Sequence, residues 1–367
     1  MANEITARPQ KDLTTRWFAP LIEHGTTFCA PNFQTELAFL QGQTEIPLTI
    51  NTTQWDNSWI CSPFNHYITY AQEEILAACP NIPGALACRT LQAIGPWMKR
   101  RELNRVVIAN NWGLSTNPWG SWNAEELPAM IQALVTKWPT HTIVLKSLNE
   151  KENKGLLKQV TAAGGKLIPS RQIWWFAPNS PEVKTSRDMK RDLHLLHRGD
   201  MEIVPHAQLQ PQEIKTAAEL YRELYCHKYS RHNIQYTAQW IQHLWETNLI
   251  KLTGLRWNGA LVGVEGCLAL NGIMISPIVG YRTDKDKTLG IYRRLAAIPV
   301  ETAQGRELPL NLSAGVGKFK ALRGGVPVVE YLGIFNRHLP TRQRTPWKVI
   351  GGLSERLLLP HMKKHNL

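Results

Sequence analysis

Two Asn-Gly dipeptides constrain this chain more than any other feature. Asn258-Gly259 and Asn271-Gly272 separate three apolar segments, Ile250–Trp257, Leu261–Leu270 and Ile273–Tyr281. Asn-Gly accepts the two positive φ angles of a type I′ turn, so the three segments read as an antiparallel meander. A helical segment follows (Thr288–Gln304), then a strand (Leu308–Ala314), a glycine- and lysine-rich connection and a last strand (Val326–Phe335). The expected class is α+β.

A comparable order occurs earlier. Arg105–Trp112 reads as a strand, Ala124–Trp138 as a helix capped by Asn123, and Thr142–Leu148 as a strand. Lys154–Ala163 reads as a helix stopped by Gly164-Gly165, and Lys166–Phe176 as a strand. The order of elements repeats although the residues do not, which suggests two related domains in tandem. The Pro- and Ser-rich stretch Ala177–Lys184 is the expected linker, dividing the chain into residues 1–178 and 179–367. Before the meander, Leu209–Lys228 and Tyr236–Trp245 have helical periodicity, and the basic stretch Tyr229–Asn233 between them is either a surface turn or the lip of a substrate site.

Composition narrows the partners. A net charge of +13 favours nucleic acid, phosphorylated cofactors or an acidic membrane surface. The basic residues cluster at Lys99–Arg101, Lys184–Arg198, Arg282–Arg294, Lys318–Arg323 and Arg337–Lys348. No apolar run is long enough for a membrane span, and the N-terminus lacks the apolar core of a secretory signal. Six cysteines, Cys29, Cys61, Cys79, Cys88, Cys226 and Cys267, are scattered without metal-ligand spacing, as for reduced thiols in a cytoplasmic protein. His194 and His197 lack a third ligand nearby, so no metal is expected. The 14 tryptophans mean either a wide aromatic pocket or a heavily packed first domain.

Two helices, a three-stranded meander, a helix, a strand and a final crossing strand, over most of residues 210–336, resemble the GNAT acyltransferase fold. Two such domains in one chain resemble the Fem-type peptidyltransferases, where the second domain often ends in glycines and a Gly-x-x-x-basic stretch; here that stretch is Ser313–Gly325, SAGVGKFKALRGG. The resemblance implies transfer of an acyl or aminoacyl group to an amine. It implies acyl-coenzyme A or aminoacyl-tRNA as co-substrate, with no tightly bound cofactor. GNAT enzymes hold the pyrophosphate of coenzyme A on backbone N–H groups of a two-glycine loop at a helix N-terminus. The corresponding stretch here, Arg282–Gly290 (RTDKDKTLG), has one glycine, so the grip would fall to Arg282, Lys285, Lys287 and Arg293 with the helix terminus. Lys318, Lys320 and Arg323 are further candidates for an anion.

Amide formation needs a neutral amine, a route for its proton and donors to the oxyanion. Glu265 reads as the one carboxylate within an apolar strand; it must face solvent or a cleft, as a base, as a partner of the substrate amine, or merely as an exposed edge residue. Ser276 and Tyr281 on the third meander strand are candidates for hydrogen-bond donor and general acid. Tyr229, Asn111 and His66 are candidates for substrate contact. The competing readings are a non-catalytic module of the same fold with a nucleic-acid-binding basic face, and aminoacylation of lipid at a membrane surface using the tail Leu353–Lys364.

Overall fold

The computed structural model describes residues 10–41, 45–78, 82–120, 122–285 and 287–365. Cys79, and Asp286 of the expected phosphate loop, lie outside the described residues.

The chain begins with helix α1 (Gln10–His24) and the strands β1 (Glu36–Leu40) and β2 (Ile46–Asn51). Helices α2 (Tyr70–Ala78) and α3 (Ile82–Arg100) lead into β3 (Val106–Ala109). Then come α4 (Leu127–Lys137), β4 (Thr142–Asn149), α5 (Lys154–Ala162) and β5 (Lys166–Phe176). Asn123 accepts from the N–H of Glu125 at the turn before α4, and Gly164, at φ 81°, ends α5, as their sequence positions suggest.

Past residue 178 lie α6 (Pro181–Thr185), α7 (Arg187–Leu196), β6 (Glu202–Val204), α8 (Pro211–Arg222) and α9 (Ala238–Glu246). The meander is β7 (Lys251–Trp257), β8 (Ala260–Leu270) and β9 (Ile273–Tyr281). Asn258, Gly259, Asn271 and Gly272 all have positive φ, between 49° and 79°, as the turns require. The remaining elements are α10 (Ile291–Arg306), β10 (Leu310–Asn311), α11 (Gly317–Ala321), β11 (Val326–Phe335), α12 (Thr341–Leu353) and α13 (Leu359–His365).

All strands join one mixed, mostly antiparallel sheet in the order β1-β2-β3-β4-β11-β5-β10-β9-β8-β7-β6. The α+β class and the repeated order of strands and helices are both present, and the repeat has a geometric signature. β3 and β4 are parallel and part after Ala109↔Leu145; β9 and β10 are parallel and part after Ile275↔Asn311. Two residues beyond each parting stands a serine with positive φ, Ser147 at 59° and Ser313 at 56°. This also explains why β10 is shorter than the expected Leu308–Ala314 strand. The two long final strands are exchanged: β11 pairs with β4, β5 pairs with β10, and β5 pairs with β11 at the centre.

Helices cover both faces. Beside β1–β4, α4 and α5 pack on one face through Leu134 and Leu157, while α3 and α12 pack on the other through Met98 and Trp347. Over β7–β10, α7 and α10 pack through Met189 and Leu295, with α1, α8 and α9 on the opposite side through Trp17, Ala217 and Trp240. Trp17 meets Trp112 and Trp240 edge-on at 5.9 and 5.4 Å, so these tryptophans serve packing.

Candidate functional site

Parallel strands that part leave a cleft, and this molecule has two. The cleft between β3 and β4 is closed by its own chain. Asn110 donates to the carbonyls of Asn117 and Pro118, the N–H of Asn117 donates to Ser147 Oγ at 2.9 Å, and the N–H of Gly120 donates to Glu152. Asn111 is fully buried and donates to Thr49 Oγ1 and the Ile60 carbonyl, so the expected substrate contact is a loop anchor.

The cleft between β9 and β10 is different. Its opening carries a chain of ring contacts: Tyr281 to Tyr292 at 5.7 Å, Tyr292 to Phe319 at 4.8 Å, and Tyr225 to Tyr229 at 6.2 Å. Lys228 lies 5.8 Å from the rings of both Tyr229 and Tyr281, and the Arg323 guanidinium stacks 3.3 Å from Phe319. Tyr225, Lys228 and Tyr229 belong to the π-helical stretch Glu223–Tyr229, which extends α8 and re-aims its last turn toward the cleft. Gly280 makes that approach possible, because a Cβ there would come within 2.5 Å of the Tyr221 backbone nitrogen. Burial raises the pKa of Tyr281, Tyr292 and Tyr225, so all three phenols stay protonated at neutral pH.

Glu265 corrects the expectation that a strand carboxylate faces solvent or an open cleft. It is 1% exposed and within electrostatic range of Tyr225. Desolvation pushes its carboxyl up to about 7, partly offset by Ser276 and by the Cys267 thiol, which donates to it at 3.2 Å. The Ser276 hydroxyl is buried beside it and closes no hydrogen bond of ordinary geometry.

Three of the seven residues of the expected anion grip, Arg293, Lys320 and Arg323, are engaged inside the protein, and Arg282 is in an exposed pair. Arg293 and Arg323 both pair with the fully buried Asp192 of α7, and Arg282 pairs with Asp284 at 2.6 Å. The Lys320 amine donates to the carbonyls of Leu312, Ser313 and Ala314, holding the parted end of β10, and burial lowers its pKa to about 7. Lys285, which lies 5.8 Å over Trp257, is half-buried, while Lys287 and Lys318 are exposed. The head of α10 is covered as well, since a Cβ on Gly290 would come within 2.7 Å of Leu195 of α7.

His66 lies elsewhere, beside a cavity of about 20 Å³ lined in part by Trp59, Lys146, Ser170 and Glu330. Its Nε2 is 3.0 Å from Ser170 Oγ, its Nδ1 has no partner, and burial holds its pKa near 3. Close by, Arg171 and Glu330 pair at 2.8 Å across β5 and β11. Arg171 also donates to Ser313, Ser115 and Thr116, tying both clefts to the central strands. The connection after Tyr229 is mostly a tie between the halves. Its Ser230, His232 and Asn233 are buried, and Trp59 donates its indole N–H to Asn233; Tyr229 and Arg231 stand exposed, Tyr229 at the rim.

Sequence reasoning missed Tyr292, Phe319, Lys228, Lys146 and Glu330. The signal was there for some. Tyr292 adjoins Arg293 and Phe319 stands between Lys318 and Lys320, so attention to the cations passed over the rings between them. Lys146 and Glu330 are charges inside apolar strands, the same criterion that selected Glu265.

No family model matches the chain, and no curated protein matches it. Among solved structures, FemX is similar with 9% identity and a TM-score of 0.47, over 62% of this chain and 80% of that one. L-PGS from Bacillus licheniformis is similar with 11% identity and a TM-score of 0.45, over 62% and 79%. A tandem GNAT protein from the clavulanic acid biosynthesis pathway has 13% identity and a TM-score of 0.37, over 64% and 76%.

Proposed function

We propose that this chain is an acyltransferase whose site is the cleft between β9 and β10, forming an amide from an activated acyl or aminoacyl donor and an amine. The acceptor nitrogen attacks the donor carbonyl carbon, a C–N bond forms, and the C–O or C–S bond to the leaving group breaks. Glu265, with its carboxyl near 7, has the proton affinity to take the proton lost by the amine. Tyr281, kept protonated by burial, has a proton to give the departing oxygen or sulfur. The Ser276 hydroxyl, beside Glu265 and closing no hydrogen bond of ordinary geometry, is the donor we assign to the oxyanion.

The observation that carries this reading is a buried carboxyl, Glu265, within electrostatic range of Tyr225 beneath the aromatic rim of one cleft, while the matching cleft of the other half is filled by its own chain. The donor we favour is aminoacyl-tRNA. Leu195 sits on the head of α10, and Arg293 and Arg323 are paired with the buried Asp192, so a pyrophosphate held on the helix terminus is disfavoured, while Arg282, Lys287 and Lys318 stay exposed for looser phosphate contacts. A second reading, a non-catalytic nucleic-acid-binding module, draws on the burial of Glu265, whose carboxyl is engaged by the Cys267 thiol and lies against Ser276.

Melting the protein with coenzyme A, acetyl-coenzyme A and bulk tRNA in turn tests the donor, because a ligand that binds the native state raises the melting point by mass action. A rise with tRNA alone is expected. An equal rise with coenzyme A would overturn the donor assignment. Glu265→Gln should keep the tRNA-induced rise and lose aminoacyl transfer; a protein that binds tRNA yet transfers nothing in either form would be the binding module.

A further inference from the structure

Two basic runs far apart in sequence, Lys99–Arg101 and Arg342–Lys348, meet on one side of the molecule. The Arg342 guanidinium donates to the Arg100 carbonyl at 2.7 Å and that of Arg101 to the Arg342 carbonyl at 3.4 Å. Between them lies a groove of about 440 Å³ lined by Trp97, Arg100, Arg101 and Arg342, with the Arg101 guanidinium 4.7 Å from the Trp97 ring. No carboxylate pairs with Arg100, Arg101 or Arg342 among the described residues, and neither α3 nor α12 contains an acidic residue. On the neighbouring helix α2, Glu73 faces His232 at 3.7 Å, and Glu74, exposed, is hydrogen-bonded to Tyr70 with its carboxyl held above the usual range. Glu102 is taken chiefly by Gln343 and Arg105 and lies within electrostatic range of Arg342.

The same layer of helices exposes aliphatic side chains. Helices α3 and α12 share the apolar cluster over one face of the sheet, so their remaining sides look outward, and α2 packs on α3. Leu86 on α3 is 64% exposed, Leu76 stands on α2, Leu353 ends α12, and Leu357 follows it at 64%. These are four of the eight large apolar side chains that stand exposed among the described residues. No helix of the described residues is long and apolar enough to cross a membrane.

We infer that this helical layer seats the protein on an anionic phospholipid surface, the arginines meeting headgroup phosphates and the leucines entering the acyl boundary. Arginines without an ion pair, an amphipathic tryptophan and isolated leucines are what an interfacial helix presents. A nucleic-acid surface would use the same charges, but it leaves exposed leucines without a partner, since bases stack on aromatic rings and guanidinium groups. The inference does not rest on the acyltransferase reading.

The test is flotation of the full chain with vesicles of phosphatidylcholine alone and with about a third phosphatidylglycerol. Binding to the anionic vesicles only is expected. The triple variant Arg100→Glu, Arg101→Glu, Arg342→Glu should lose it by about a hundredfold or more. Leu86→Asn with Leu353→Asn and Leu357→Asn, which keeps the charge, should weaken it by about tenfold or more. Arg100, Arg342 and the three leucines are exposed and Arg101 is half-buried, its replacement costing only hydrogen bonds at the surface, so circular dichroism at the assay temperature should show both variants folded as the parent is. Failure of the parent to bind anionic vesicles overturns the inference, as does a leucine variant that binds them unchanged. Binding of tRNA that the arginine variant loses and the leucine variant keeps, without vesicle binding, would assign the groove to RNA.

Discussion

A carboxyl with no water around it settles its cost by keeping its proton, and Glu265 is that case. In the unfolded chain it ionises near the ordinary value of 4.5, whereas in the fold it holds its proton to about 7. The stability contributed by the neutral carboxyl is therefore complete below the unfolded value and is lost as pH rises through 7. Ionising it in place costs about 3 kcal/mol at most, from the size of the shift. Gln cannot ionise, so urea unfolding of Glu265→Gln should show little change near pH 4 and a gain over the parent that grows toward pH 8. A gain independent of pH would mean that the carboxyl is solvated after all.

At the scale of an element, the stretch that leaves β10 stores backbone strain. Ser313, Gly315 and Val316 all have positive φ, and Val316, β-branched and at φ 46°, is the costliest of them. The stretch is held by the Lys320 amine on three successive carbonyls and by Arg171 on Ser313. Strained backbone fixed from both sides beside a cleft is a common property of functional loops. Val316→Asn, a residue that adopts the left-handed region more readily, should stabilise the protein by about 1 kcal/mol, read from a denaturant midpoint. No gain would show that the strain is relieved elsewhere. Lys228 and Tyr229 reach the rim through a similar local device, the π-helical end of α8.

Across the whole molecule, the exchange of β5 and β11 makes one sheet of two halves, and Arg171 with Glu330 is the pair where the two central strands meet. Glu330 is 2% exposed, so removing its partner leaves a buried charge. Arg171→Met should cost about 3–5 kcal/mol, and adding Glu330→Leu should recover at least half of it, because the unpaired carboxylate is then gone while the nearby Lys146 amine keeps its bond to the Ile60 carbonyl. Additive losses in the double variant would show that the two side chains act independently. The cycle also asks whether the halves unfold together, since this pair reaches β10 through Ser313 and the loop closing the first cleft through Ser115.

The sequence alone determined what local chemistry decides. Asn-Gly turns set the meander because few other dipeptides tolerate two positive φ angles, and the helix–strand alternation of both halves followed from apolar period and from stops such as Gly164. Glu265 and Tyr281 were legible as polar groups in apolar strands. Which cleft stays open was not legible, because it depends on a loop, residues 113–120, folding back onto β4. Nor was the fate of the cations. Arg293 and Lys320 look free in the sequence, yet Asp192 and three carbonyls reach them only once α7 lies on α10 and β10 has parted from β9. The exchange of β5 and β11, and the meeting of Arg101 with Arg342, are likewise tertiary facts. Residues more than a hundred positions apart pair by the geometry of the packed sheet, which no local periodicity records.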